Sequence, residues 1–281
     1  MYLDLAPDLL KEVSLLARLA GKAILSIYEK ADELVLCLSQ VEFKADKSPV
    51  TQADKLAHEL IILGLAQLNK KYGLDAAIIS EEDQAISDSR LEATTIWLVD
   101  PLDGTKEFMA HTHEFSVNIA LIHENRPILG VIYIPYYDLL YYAQEGKGAF
   151  LEAKKDTPAK QLNIAKVDIH HPTFLTRVIS SRRHGVLALE SILRKLEAYH
   201  LSSLGSSWKL AKIAEDKADV YLRLGPTSEW DIAAGHLILT EAGGALSDLS
   251  GNQLSYNTKK SLTNPHFIAI SQPDLFKKIC G

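Results

Sequence analysis

Cysteine is almost missing: Cys37 and Cys280 are the only two in 281 residues, and they lack metal-type spacing. That excludes a disulfide framework and a cysteine-rich zinc site. No apolar run is long enough to cross a bilayer, and Met1-Tyr2-Leu3-Asp4 has neither the basic start nor the continuous apolar run of a signal peptide. A cytoplasmic home is the expectation. Positive charge is also in deficit, with 30 Lys and Arg against 36 Asp and Glu and a formal net charge of -6. Binding to a nucleic-acid polymer needs a basic surface and is not expected. There is no Gly-x-x-x-x-Gly-Lys-Ser/Thr loop, no Gly-x-Ser-x-Gly elbow, no fixed-period repeat and no flexible linker.

What is present is an ordinary globular composition, 47% hydrophobic and 23% charged, in a chain long enough to bury a sizeable core. Leu9, Val13, Leu16, Ala20, Ile24 and Ile27 recur at helical spacing and predict a first amphipathic helix ending near Glu29. Ser48-Pro49-Val50-Thr51 announces a second, with Thr51 as N-cap, Asp54 three residues on, and an end at Gly73. Strands are expected at Ala76 to Ser80 and Thr95 to Val99, then an antiparallel meander from Phe115 to Leu151. The second half alternates: strand at Val178 to Ser180, helices at Leu187 to Tyr199 and Ser207 to Glu215, strand at Val220 to Leu224, helix at Asp231 to Ala242, strand at Phe267 to Ile270. Such mixed order predicts an α/β, mixed α+β protein with helices layered against two sheets.

The sharpest local signal is Trp97-Leu98-Val99-Asp100-Pro101-Leu102-Asp103-Gly104-Thr105. A strand leads into two carboxylates three residues apart, read here as a tight turn with the Leu102 carbonyl between them. Carboxylates and a carbonyl are hard ligands that suit Mg²⁺. The backbone N–H groups of Gly104 and Thr105 could hold a phosphate. For this turn alone, a site and an ordinary Asp-Pro/Asp-Gly turn explain the residues equally well. Three further acidic segments shift the balance: Glu81-Glu82-Asp83 after a strand, Asp231 at the head of a helix, where capping is the plain reading, and Asp54 in a capping box. All lie at element boundaries. The spacing of three also disfavours the Asp-x-Asp order of haloacid-dehalogenase phosphatases, and with it an aspartyl-phosphate intermediate.

Ser80 to Asp83, Trp97 to Phe108, Gly205-Ser206-Ser207 with Lys209, and Glu229 through Gly244 resemble, in order, the blocks of the inositol monophosphatase superfamily. The match extends from Lys47 to Pro265. Lys106-Glu107-Phe108, Gly205-Ser206-Ser207-x-Lys209 and Leu224-Gly225-Pro226-Thr227 make it most like the CysQ-type 3′(2′),5′-bisphosphate nucleotidases.

The resemblance implies a layered αβαβα sandwich of the sugar-phosphatase type in two tightly packed subdomains, residues 1–160 and 161–281. It also implies two or three Mg²⁺ ions on Glu81, Asp100, the Leu102 carbonyl, Asp103 and Asp231. Asp54 would accept a hydrogen bond from Thr105, and with Glu81 the pair would activate the attacking water. The substrate phosphate would sit against Gly104 and Thr105, and His184, Ser206, Lys209 and Arg223 would contact the nucleotide. Trp208 reads as a packing residue rather than a base-stacking one. The activity implied is hydrolysis of 3′-phosphoadenosine 5′-phosphate to AMP and phosphate, tied to sulfate assimilation. A sugar-phosphate phosphatase on the same metal core and a non-catalytic nucleotide or metal sensor are the alternatives. The partner expected is a small phosphorylated nucleotide; oligomeric state and a loose peripheral hold on the inner membrane stay open.

Overall fold

The computed structural model describes residue 3 and residues 5–37, 49–182, 192–196 and 198–281. Helix α1 spans Leu9–Cys37 and α2 spans Pro49–Tyr72. The predicted stripe of α1 holds, since Leu9, Val13, Leu16, Ala20 and Ile24 are all buried. The helix outruns its expected end near Glu29 because Lys30 to Cys37 contains neither Gly nor Pro and is rich in good helix formers. In α2 the expected N-cap is corrected. The helix already includes Pro49, a residue favoured in a first turn, so Thr51 lies inside it. Lys47 and Ser48 lie outside the described residues, as does most of the helix expected from Leu187. That helix does not reach Tyr199, which opens a strand.

Seven strands form the first sheet, in the order β1 to β7: Ala77–Ser80, Thr95–Asp103, Ser116–His123, Arg126–Ile134, Leu139–Gln144, Gly148–Glu152 and Lys160–Leu162. β1 runs parallel to β2, and every later neighbour is antiparallel, as the meander predicts. The second sheet has the order β11-β12-β10-β8-β9, where β8 is Thr176–Ser180, β9 Tyr199–Ser203, β10 Val220–Arg223, β11 Ala245–Asp248 and β12 Phe267–Ile270. Helices α4 (Trp208–Ala214) and α5 (Glu229–Glu241) lie between the sheets, after a short α3 at Thr105–Met109. A last helix, α6, spans Pro273–Cys280.

Both faces of the first sheet are covered, which is why β2 to β4 read as nearly unbroken apolar runs. Trp97, Val99, Val117 and Ile119 pack against α1 and α2. Ile96, Leu98, Ala120 and Ile132 face Ile232 and Leu237 of α5, whose far side meets Tyr221, Phe267 and Ala269 of the second sheet. Beyond that sheet, Val178, Val220 and Ile268 cover Leu193, Leu275 and Ile279. The layers are therefore helix, sheet, helix, sheet, helix. Among the described residues no helix is long and apolar enough to cross a membrane.

The seating of α5 on the first sheet depends on Gly130, where a Cβ would come within 2.7 Å of the Ala234 carbonyl oxygen and 3.0 Å of its Cα. Both obstacles are backbone, so the helix would have to lift. Gly130→Ala should destabilise the fold by about 1–3 kcal/mol, as overpacking does. A urea melt checks it; an unchanged midpoint would mean that α5 is not tightly seated there.

Helix α5 also buries His236, whose Nδ1 lies 2.8 Å from the Tyr256 hydroxyl. Burial pushes its imidazole down from 6.5 to about 4. Between those values the unfolded chain binds a proton that the folded chain refuses, so this group's stability is complete above pH 6.5 and is lost as pH falls toward 4. The loss approaches about 3 kcal/mol. Urea midpoints at pH 7 and pH 4.5 should differ less for His236→Gln than for the unsubstituted protein.

Candidate metal centre and substrate cavity

The segment read as a tight turn is instead the end of a strand. β2 pairs Asp100 with Asn118 and Asp103 with Ser116, and the register slips between them. Pro101 and Leu102 are thus bulged out of the ladder, a place where a residue without an N–H is tolerated. The bulge is closed by the Asp100 Oδ1, which accepts the Leu102 N–H at 3.1 Å, while the Leu102 side chain is buried among α1 and α2. Gly104 then turns the chain with φ 93°, and α3 begins at Thr105. A side chain at Gly104 would be strained there and would approach the Glu114 carbonyl oxygen to 3.0 Å.

Glu81 follows β1 directly, and its N–H donates to the Val99 carbonyl at 3.1 Å, which ties it to the strand carrying Asp100. Its neighbour Asp83 is occupied in the turn, accepting the Ser80 N–H at 2.8 Å. The helix begins at Glu229, with Ser228 as its N-cap, so Asp231 is not the N-cap expected from the sequence; it lies in the first turn of α5 and, as the third residue of a capping box, accepts the Ser228 N–H at 2.8 Å. That bond does not exhaust the residue. One carboxylate oxygen from each of Glu81, Asp100 and Asp231 lies within 4.8 Å of the others.

Asp103 stands beside this trio, held by the Ser207 N–H and by the Asn118 amide at 3.4 Å. Asp54, on α2, is buried. Among the described residues no hydrogen bond joins it to Thr105. His184 lies outside the described residues.

These acids are short of positive charge. Burial, then Asp103 and Glu81, hold Asp100 well above the usual carboxylate range. Burial and Asp103 push Asp231 up to about 8. Burial, Glu82 and Glu81 push Asp54 up to about 7. Glu81 and Asp103 are raised as well, each chiefly by burial, although Lys209 pulls Asp103 the other way. Crowded hard oxygen donors in this state fit a divalent cation, whose charge would relieve all of them.

A cavity is lined by Asp103 and Asp231 and by the cations Lys106, Arg182, Lys209 and Arg223, with Lys209 near enough to Asp103 and Arg223 near enough to Asp231 to favour their charged forms. Lys209 is buried in α4, donating to the Ser206 carbonyl with its Nζ 5.3 Å from the Tyr221 ring. Ser206, with φ 48°, accepts the Trp208 N–H at 3.3 Å and so serves the start of α4 as well as the cavity wall. Arg223, at the end of β10, donates to the Ser181 hydroxyl at 2.7 Å and the Pro226 carbonyl at 2.8 Å. Trp208 is buried with its indole N–H donating to Tyr141, a packing role. Arg182 was not singled out by sequence, beyond belonging to a basic turn. Its guanidinium grips both oxygens of Glu114, which also accepts the Gly205 N–H at 2.8 Å.

A family profile described as the inositol monophosphatase family matches residues 8–280. The chain belongs to that family. A 3′(2′),5′-bisphosphate nucleotidase CysQ of Salmonella typhimurium is 41% identical over 259 residues, covering 92% of this chain and 98% of that protein. The CysQ of Haemophilus influenzae is 34% identical over 95% of this chain and 94% of its own. Among solved structures, CysQ from Bacteroides thetaiotaomicron superposes with a TM-score of 0.76 at 36% identity, covering 92% of this chain and 96% of that one. An inositol monophosphatase from Zymomonas mobilis, at 20% identity and a TM-score of 0.73, shares the fold.

Proposed function

We propose that this chain is a Mg²⁺-dependent 3′(2′),5′-bisphosphate nucleotidase that releases phosphate from 3′-phosphoadenosine 5′-phosphate to leave AMP, a step linked to sulfate assimilation. The observation that carries the substrate class is one cavity lined both by Asp103 and Asp231 of the acidic centre and by four cations, Lys106, Arg182, Lys209 and Arg223. An ester phosphate held at the acidic centre leaves a second phosphate to be met by the remaining cations of the lining, Arg182, Lys209 or Arg223 among them. The CysQ relatives supply the same reading from sequence.

Glu81, Asp100, Asp103 and Asp231, with the Leu102 carbonyl, would hold two or three Mg²⁺ ions. When bound, such ions lower the pKa of water and offset the charge that develops on the leaving oxygen. The chain's own residues orient the reaction. The Gly104 and Thr105 N–H groups face the phosphate, and the Thr105 hydroxyl positions the attacking water. Asp54, buried on α2, can take up the water's proton. Water adds to phosphorus in line with the departing 3′ oxygen, and no phosphoenzyme forms.

Phosphate release with Mg²⁺ should favour the bisphosphate nucleotide over inositol 1-phosphate by more than tenfold in kcat/KM. A tenfold preference for the inositol ester would overturn the substrate assignment. Nucleotide binding without phosphate release from a Mg²⁺-replete sample would leave a sensor in its place.

A further inference from the structure

Three acidic side chains that bring one oxygen each within 4.8 Å need a mechanical reason to stay together. Glu81 and Asp100 are fixed to each other through β1 and β2, but Asp231 arrives on α5 from a distant part of the chain. A buried hydrogen-bonded chain joins the two sides. Arg90 sits in a short helical turn, Asp88–Glu92, on the connection between β1 and β2, and is 3% exposed. Its guanidinium donates to the Asn257 side-chain oxygen at 2.5 Å and to the carbonyls of Lys259 at 2.9 Å and Lys260 at 2.6 Å. The Asn257 amide donates back to the Arg90 carbonyl at 2.7 Å.

Asn257 then reaches α5. Its backbone N–H donates at 2.7 Å to the carboxylate of Glu229, which is 1% exposed and two residues before Asp231. The same first turn is stitched from its other side. The Glu229 N–H donates to the Leu262 carbonyl at 2.8 Å, and the Asn264 amide donates to the Ser228 carbonyl at 2.6 Å. Among the described residues, Arg90 Nε and Glu229 Oε1 are buried without a hydrogen-bond partner, so the network is not fully satisfied, but the bonds it does make fix the relative positions of the two sides.

We propose that Arg90, Asn257 and Glu229 form a brace that holds Asp231 at cation-binding distance from Glu81 and Asp100. They are positioning residues that set the cation affinity of the centre without touching ion or substrate. The inference rests on the reading of Glu81, Asp100 and Asp231 as a cation site.

The test is titration calorimetry with Mn²⁺ in the absence of substrate, alongside the Mg²⁺ dependence of phosphate release. Glu229→Ala and Arg90→Lys should each weaken Mn²⁺ binding by about 10–100-fold, the range for residues that orient metal ligands from behind. Lys cannot reproduce the forked bonds of Arg. Glu229→Gln keeps an acceptor for the Asn257 N–H and should stay within about threefold of the unsubstituted protein. In the weakened variants, kcat at saturating Mg²⁺ should be largely recovered.

If Glu229→Ala does not fold, Arg90→Lys with Glu229→Gln carries the same comparison. Unchanged Mn²⁺ affinity in folded variants, even with a lowered melting temperature, would make the network merely structural and overturn the brace. Absence of Mn²⁺ binding to the unsubstituted protein would instead overturn the cation site itself.

Discussion

Asp100→Asn should abolish phosphate release, by about 10³-fold or more, while leaving the metal-free protein as stable as before or more so. The activity loss follows from removing a ligand charge at the centre of the acidic trio, where cation stabilisation amounts to several kcal/mol. The stability gain follows from the same crowding. Asp100 is 1% exposed and its carboxyl is held far above its ordinary value by burial and by Asp103, Glu81 and Asp231. Asn keeps the oxygen that accepts the Leu102 N–H and discards the charge. A raised carboxylate is costless below its unfolded value and costs stability as pH rises through its folded value. This group's contribution should therefore fall as pH rises above 3.8 in the metal-free protein, opposite in sign to that of His236, and Asp100→Asn should remove it. Phosphate release at saturating Mg²⁺ and thermal melts with and without the ion measure both halves. Activity within tenfold of the unsubstituted enzyme would remove Asp100 from the centre.

Lys209→Met is expected to cost about 100-fold in kcat/KM for the bisphosphate nucleotide. Lys209 is the one cation of the cavity wall that is buried and close enough to Asp103 to lower its carboxyl. A charged hydrogen bond to a substrate phosphate in such a place contributes roughly 2–3 kcal/mol. The loss should fall mainly on KM. For a nucleotide with one phosphate it should be at least tenfold smaller, because the wall then has less to bind. Equal losses on both substrates would reassign Lys209 to holding Asp103 and the Ser206 carbonyl in place.

The amphipathic spacing of α1, the strand before Asp100 and the acids at element ends were legible because each is a local pattern with a local cause. The motif order across the chain carried the family, and with it the layered fold. The strand ends of the site were harder. Asp-Pro and Asp-Gly favour turns by conformational bias, and nothing near Pro101 announces that β3 will pair on both sides of a bulge. β9, with its exposed Tyr199-His200-Leu201-Ser202-Ser203, has no alternating pattern at all. It is a strand because β8 supplies the hydrogen bonds.

By itself, then, the sequence determined which residue types could ligate a hard cation and which elements would carry them. Only the tertiary structure decided that they meet. Asp231 completes the capping box of its own helix and also joins Glu81 and Asp100, because Gly130 lets α5 lie close on the first sheet. Arg182 finds Glu114, and Arg90 finds Asn257, across separations that no local pattern encodes. Packing of α5 between two covered sheets is the physical reason: it converts acids scattered along the chain into one charged centre.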